Sequence, residues 1–447
     1  MWILYGLLGA FALFLAVILI RAACFNPKKE CETGTQTVQF DADAATNALQ
    51  ALIRCKTVSN VDPALEDDAE FEKLISLLPG LYPKVFEACE FQRLPDRGLL
   101  FRWPGQKNDA PSVMMAHYDV VPVDEEKWDK PPFDGIIEDG VLWGRGTLDT
   151  KATFNGAGAN NIVDYFVEHG IEPALVLDEG GAVVENVFPG VKKPCGLIGI
   201  AEKGMMNVEY KVTSAGGHAS APPTKTPITT LADACKKVQN KPFKMHITKP
   251  AAEMFDTLGR HSTFLYKIIF ANMWCFSWVI DVLGKTGGGE MNALVRTTAA
   301  FTMMEGSTAR NVLPTEAKLV SNMRLNPADS VEKALTHLKK AVNDPDVQIT
   351  VLEANEPSRI SQTNCPAWDA VASTVAETWP GTIVAPYLMV QCSDSRCYGR
   401  ISDHVFRFCA MDMTAEERKS IHGNNEKIRL ESIAKTVEFY IRLLGKC

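Results

Sequence analysis

His117 and Asp119 stand two residues apart in the segment AHYDVVPV at 116–123. An imidazole and a carboxylate at that spacing suit a hydrolytic zinc site, because zinc there takes both ligand types and keeps one position for water. On an extended strand, side chains two apart point the same way. Asp119 can then accept the second ring N–H of His117 and fix its tautomer. Alone, His-x-Asp is a common structural pair. Here it shares a chain with GRGTLDTK at 144–151, LDEGG at 177–181, GGHASAPP at 216–223 and IHGNNE at 421–426. Taken singly, these too have plain readings: Asp149 and Asp178 as helix caps, His422 as a loop histidine.

The elements that must position these residues follow from hydropathy patterning. VMMAHYDVV at 113–121 and ALVLDEGG at 174–181 read as buried strands that end in polar residues. Ranges 41–57, 65–78 and 157–168 have helical spacing. DEEKWDKPPFDG at 124–135 is a loop broken by Pro131 and Pro132. This alternation predicts an α/β unit with a mostly parallel sheet covered on both faces. From about 205 the pattern changes. Strands are expected in MNVEYKVTSA and at 297–306, 316–327 and 347–354, with helices at 225–239 and 331–342. The first unit resumes near 356 and closes with an amphipathic helix at 428–444. A chain of 447 residues suits two domains.

Taken in order, the five segments resemble a family of dinuclear zinc exopeptidases and amidases. That family includes carboxypeptidase G, carboxypeptidase S, the aminoacylases and the N-fatty-acyl amino acid hydrolase. The resemblance implies a zinc-exopeptidase-like α/β core at 41–204 and 356–447, with an inserted α+β lid and dimerisation domain at 205–355. It implies two zinc ions per subunit, held by His117, Asp149 as the bridging ligand, Asp178 and His422. Asp119 is then a catalytic partner of His117. His218 in GGHAS matches a lid histidine that reaches a neighbouring subunit's site, where an N–H donor suits a tetrahedral oxyanion. Arg396 in SDSRCY matches an arginine that grips the substrate's free carboxylate with its planar fork. Ser393 and Cys397 beside it depart from the family's residue types. Asn292 matches a substrate contact, and His404 reads as a surface histidine. The implied reaction is hydrolysis of an amide bond next to a free carboxylate, in dipeptides, peptide C-termini or N-acyl amino acids, by a homodimer. AEKG, GHASAPP and IHGNNEKI look closest to the branch with carboxypeptidase S and the N-fatty-acyl amino acid hydrolase.

One part of the family pattern is missing. A Glu-Glu pair belongs between Asp149 and Asp178, the first Glu as general base and the second as a zinc ligand. The interval 152–176 has no such pair, and only 29 positions separate the two aspartates. That leaves room for one crossover helix. The simplest account is a deletion between Phe154 and Asn155 of about one helix and one strand. Loss of a general base costs about 10²–10⁴-fold in rate. Glu172, Glu179, Glu185 and Glu202 are the candidate substitutes, and none is placed well by the motifs. The alternative to an enzyme is a membrane-tethered, non-catalytic homodimer of the same fold.

Residues 2–20 carry no charge and as a helix span about 28 Å, close to a hydrocarbon core. An anchor within 1–21 followed by a linker at 22–40 is the first reading. A signal peptide is the rival, and with it a secretory or extracellular location in place of a single-pass membrane one. FLYKIIFANMWCFSWVIDVL at 264–283 is apolar but interrupted by Lys267, Asn272 and Asp281, each costly in lipid, so it reads as a lid helix pair. A net charge of −8 with no basic block excludes nucleic acid. The 12 cysteines form no CxxC pair. Cys392, Cys397 and Cys409 are either free thiols or include a disulfide.

Overall fold

The computed structural model describes residues 1–28, 37–60, 62–105, 110–149 and 157–447. Its centre is a five-stranded sheet in the order Ile383–Met389, Cys195–Glu202, Val405–Met413, Leu175–Val184, Ser112–Met114. Three neighbour pairs run parallel: Ser112–Met114 with Leu175–Val184, Leu175–Val184 with Val405–Met413, and Ile383–Met389 with Cys195–Glu202. Cys195–Glu202 runs antiparallel to Val405–Met413, which makes the sheet mixed. Strand Cys195–Glu202 is buried at every position, and its CGLIGIAE run does not alternate, as befits a strand covered on both faces.

Helices cover the sheet. Pro366–Thr378 and Leu430–Leu444 place Val371, Val375, Phe439 and Leu443 in one core with Ile198, Phe406 and Phe408. Lys249–His261 buries Ala251, Met254, Phe255 and Leu258 with Leu197, Ile383 and Ala385. Truncating a fully enclosed leucine such as Leu258 to alanine costs about 2–5 kcal/mol.

A second layer follows Glu202. Four antiparallel strands run in the order Thr298–Glu305, Glu316–Leu325, Gly204–Thr213, Gln348–Asn355. Glu316–Leu325 alternates strictly between half-buried and buried positions, which turns one face to helices Pro227–Asn240 and Val331–Val342. Ser330 caps the second of these helices by accepting the Lys333 N–H, and Asn343 ends it in the left-handed conformation.

Two local expectations change. The strand expected over 113–121 ends at Met114, so His117 and Asp119 lie beyond the ladder. Met115 N–H still bonds across to Leu177 O at 3.0 Å, and Val120 pairs separately with the Thr57–Ser59 segment. The apolar segment at 264–283 forms two helices, Phe264–Phe270 and Met273–Gly287, bent by 106°. Phe264–Phe270 packs beside the Lys249–His261 helix and Met273–Gly287 beside Gly289–Val295, with Phe270 and Ile280 in the core of the five-stranded sheet and not in that of the second layer. Cys392, Cys397 and Cys409 are all free thiols.

Candidate metal centre

The Leu175–Val184 strand explains how the centre is built. It pairs with Ser112–Met114 on one side, Leu177 opposite Met114. On the other side its ladder with Val405–Met413 runs Arg407↔Asp178 and then jumps to Phe408↔Gly181. Glu179 and Gly180 are therefore a bulge, a device that re-aims a side chain at a strand's working end. Gly180 takes φ +149, and a Cβ there would sit 2.7 Å from the Arg407 Cβ. A Cβ on Gly181 would lie 1.7 Å from the Leu197 carbonyl oxygen. The two glycines after Glu179 are what let the strands close around it.

The bulge turns Glu179 toward His117. Glu179 Oε2 lies 3.1 Å from His117 Nε2, and Asp149 Oδ1 lies 3.5 Å from the same nitrogen. One ligand atom from each of His117, Asp149 and Glu179 falls within 4.8 Å of the others. On the far side of Asp149, its Oδ2 stands 2.5 Å from His422 Nε2. His422 occupies a positive-φ turn and is half exposed. Asp119 Oδ1 is 3.6 Å from His117 Nδ1, close enough for charge pairing and longer than a hydrogen bond.

Asp178 is the residue displaced from the expected ligand set. It is fully buried and its Oδ2 accepts the Ser395 N–H at 2.9 Å. Neighbours on a strand point to opposite faces. With Glu179 turned to His117, Asp178 faces the loop that carries Ser395 instead.

Electrostatics fit a cation. Burial first, then the charges of Asp149 and Asp178, hold the Glu179 carboxyl well above its ordinary range. Burial pushes Asp178 up to about 6. His422 is raised by its hydrogen bond with Asp149. Crowded carboxylates around one imidazole nitrogen carry a penalty that a divalent ion at their meeting point reverses. One imidazole and two carboxylate donors are the ligand types zinc accepts.

Sequence reasoning passed over a support for this cluster. Glu426, the last residue of IHGNNE, is fully buried. Its Oε1 accepts N–H groups from Gly146 at 3.1 Å, Leu148 at 2.8 Å and Asp149 at 3.2 Å. Its Oε2 takes Arg145 Nη1 at 2.6 Å, while Arg145 Nη2 donates to Gly423 O at 2.7 Å. GRGTLD and IHGNNE thus close on each other, which fixes both Asp149 and His422. The readable signal was a charged pair inside two glycine-rich loops.

The remaining expected residues lie apart from the cluster. Arg396 lines the same wide cleft as His117, Glu179 and His422. Its Nε is 3.3 Å from Glu202 Oε1, and its Nη2 donates to Glu356 O at 2.6 Å. Asn292 sits in helix Gly289–Val295 with Oδ1 against Gly284, outside the residues that line the cleft. His218 is exposed in a two-stranded ladder with Val312–Leu313, its Nδ1 2.8 Å from Ser220 Oγ. The His404 ring nitrogen lies 3.1 Å from Ala174 O, a structural contact at the other end of the strand. The junction between Phe154 and Asn155 lies outside the described residues.

Known proteins match this architecture. A protein of Dictyostelium discoideum named probable carboxypeptidase S-like 2 is 29% identical, over 99% of this chain and 93% of its own length. That alignment runs over 484 positions against 447 residues, which leaves at least 37 positions where this chain has none. The N-fatty-acyl-amino acid synthase/hydrolase PM20D1 of Homo sapiens is 31% identical over 84% of this chain and 82% of its length. Among solved structures, the M20 family metallo-carboxypeptidase Sso-CP2 of Sulfolobus solfataricus superposes with TM-score 0.63 at 15% identity, covering 90% of this chain and 98% of that one. It shows the same fold. Residues 113–446 match the family described as Peptidase family M20/M25/M40. The protein belongs to that family of metal-dependent hydrolases.

Proposed function

We propose that this chain hydrolyses an amide bond next to a free carboxylate, as a carboxypeptidase or N-acyl amino acid hydrolase. The observation that carries this reading is the His117–Asp149–Glu179 cluster at the working end of the central sheet, open to the cleft. The names of the relatives support the substrate class: carboxypeptidase S-like and N-fatty-acyl-amino acid hydrolase.

The metal is proposed as zinc, held by His117, Asp149 and Glu179, with His422 on the outer oxygen of Asp149. Bound there, it would supply a water of lowered pKa and polarise the scissile carbonyl. His117 offers Nε2 to the cluster, while Asp119 on the Nδ1 side orients the ring. Among the described residues one such group forms, and the reading is one ion per chain rather than the two that the resemblance implies. Glu179 fills the position beside His117 that the absent Glu-Glu pair leaves open. His422 is half exposed on the cleft, with its proton favoured by Asp149, and is proposed to hold and pass a proton at Nε2. Arg396, on the cleft wall, is proposed to exchange Glu202 for a substrate carboxylate.

Three further readings belong to this proposal. The domain division is 41–204 with 356–447 as core and 205–355 as lid, the helices between Lys249 and Val295 packing on the core. The chain acts as a homodimer in which His218 serves the neighbouring subunit. The N-terminal segment directs the protein to a membrane or the secretory pathway.

The test is metal content and turnover of the purified full chain. About one zinc per chain, with chelator-sensitive hydrolysis of dipeptides or N-acyl amino acids that His117→Ala abolishes, is the expected result. No bound zinc and no hydrolysis above the His117→Ala background would overturn the reading.

A further inference from the structure

The first helix, Trp2–Cys24, is long and apolar enough to span a hydrocarbon core, and 6% of its most apolar window is buried. Its buried residues, Ile18 and Ala22, lie near its carboxyl end. They pack on the bend between Phe264–Phe270 and Met273–Gly287. Asn272, at that bend, is fully buried. Its Nδ2 donates to Ile18 O at 3.1 Å and to Ile268 O at 2.9 Å, and its Oδ1 accepts Arg21 Nε at 3.0 Å. Arg21 Nη2 also donates to Ala271 O at 2.9 Å. The polar groups at this joint satisfy one another, as a dry junction requires. Removing the helix would take away two of the three partners of the Asn272 side chain.

Beyond the joint the helix pair extends the same apolar surface. The Phe14 and Trp274 rings meet edge-on with centroids 6.0 Å apart. Trp274, Trp278 and Val282 follow at intervals of four, so they lie along one stripe. They are 61%, 60% and 47% exposed, and Phe264, Leu265 and Leu283 beside them are exposed as well. Of the charged residues of the pair, Asp281 reaches into the body to Arg296 at 2.7 Å, and Lys285, exposed one turn on, pairs with the same Asp281 at 2.6 Å. At the root of the joint lies a polar cluster, with Lys28 and Arg260 both on Asp256. The apolar helix and the exposed tryptophans thus adjoin, with the Lys28, Arg260 and Asp256 cluster at the helix's carboxyl end. A bilayer accepts these side-chain types together, apolar chains in its interior and tryptophans and charges toward its headgroups. The cost of Lys267, Asn272 and Asp281 in lipid argues against a crossing but not against a hairpin that lies in the interface.

We propose that the N-terminal helix is retained in the folded protein and that the bent pair Phe264–Gly287 lies beside it in one phospholipid leaflet, seating the catalytic body on the bilayer. The partner is lipid acyl chain. This inference stands apart from the hydrolytic reading and does not depend on the metal.

The test uses the full chain in phosphatidylcholine vesicles with and without acyl-brominated lipid. Bromine quenches only tryptophans that contact acyl chains. Trp2, Trp274 and Trp278 should be quenched, and W274F/W278F should lose about two thirds of the quenchable signal while its thermal melting is unchanged. Equal quenching in the variant and the wild type would overturn the proposal. So would cross-linking of W278C between two copies in vesicles without bromine quenching, which would make a second chain the occupant. Intact mass of the membrane-isolated protein should include residues 2–24, and a chain beginning after Cys24 would overturn retention of the helix.

Discussion

The Glu426 carboxylate accepts the backbone N–H of Asp149 at 3.2 Å, across 277 positions of sequence. Through that bond and the Arg145 pair, the IHGNNE loop near the end of the chain sets the place of an acidic group in the middle. Support of this kind governs metal sites as much as the ligands do. Glu426→Gln should lower zinc affinity by about 10–100-fold, read by competition with a chelating indicator. It should also cost about 3–5 kcal/mol in denaturant unfolding, because Arg145 is left buried without its anion.

Glu179 and Asp178 are adjacent, and their side chains meet different neighbours, His117 for the first and Ser395 for the second. Glu179→Gln should lose bound zinc at least tenfold by elemental analysis, since it removes a charged donor next to His117. Asp178→Asn keeps an acceptor for the Ser395 N–H and should retain the zinc. The reverse result would mean that the Leu175–Val184 strand lies one residue out of the register described, because a one-residue slip exchanges the faces of a strand.

Gly181 has no room for a side chain. A Cβ 1.7 Å from the Leu197 carbonyl oxygen cannot be relieved by a rotamer change, since the obstacle is backbone. Gly181→Ala should destabilise by more than about 4 kcal/mol, seen as loss of soluble protein or of a cooperative melt. Gly140→Ala provides a comparison, since φ +75 strains it but no atom stands within 4 Å.

Lys203 supplies a pH dependence. Burial first, then the nearby Arg324 charge, lowers its amine from 10.5 to about 7. Between those two values the unfolded chain binds more protons than the folded one, so stability rises with pH across the window. The contribution is fully present above the unfolded value and is lost as pH falls through about 7. Each unit of the window is worth at most about 1.4 kcal/mol. Wild type minus Lys203→Met, measured as unfolding free energy at pH 7 and pH 10, should increase with pH. A difference that stays level would show that Lys203 is not held neutral.

The sequence alone determined the layers and the reaction class. Alternation, helical spacing and apolar runs specify which segments are strands or helices and which faces they bury, and these are local properties. The element from Val331 to Val342 was legible to the residue from its amphipathic spacing, and the structure shows it bounded by the Ser330 cap and the left-handed Asn343. AHYDVVPV and IHGNNE have plain readings singly, and the five segments in order indicated the chemistry through the family they resemble. What the sequence could not fix was which of two neighbouring acids faces His117. That choice is made by a bulge, and the bulge depends on how Val405–Met413 lies against Leu175–Val184, a pairing between segments more than 200 positions apart. Nor could the sequence show that Asn292 packs its Oδ1 against Gly284, away from the residues that line the cleft. Tertiary structure alone also joined Ile18 to Asn272, and so turned two separate apolar segments into one surface.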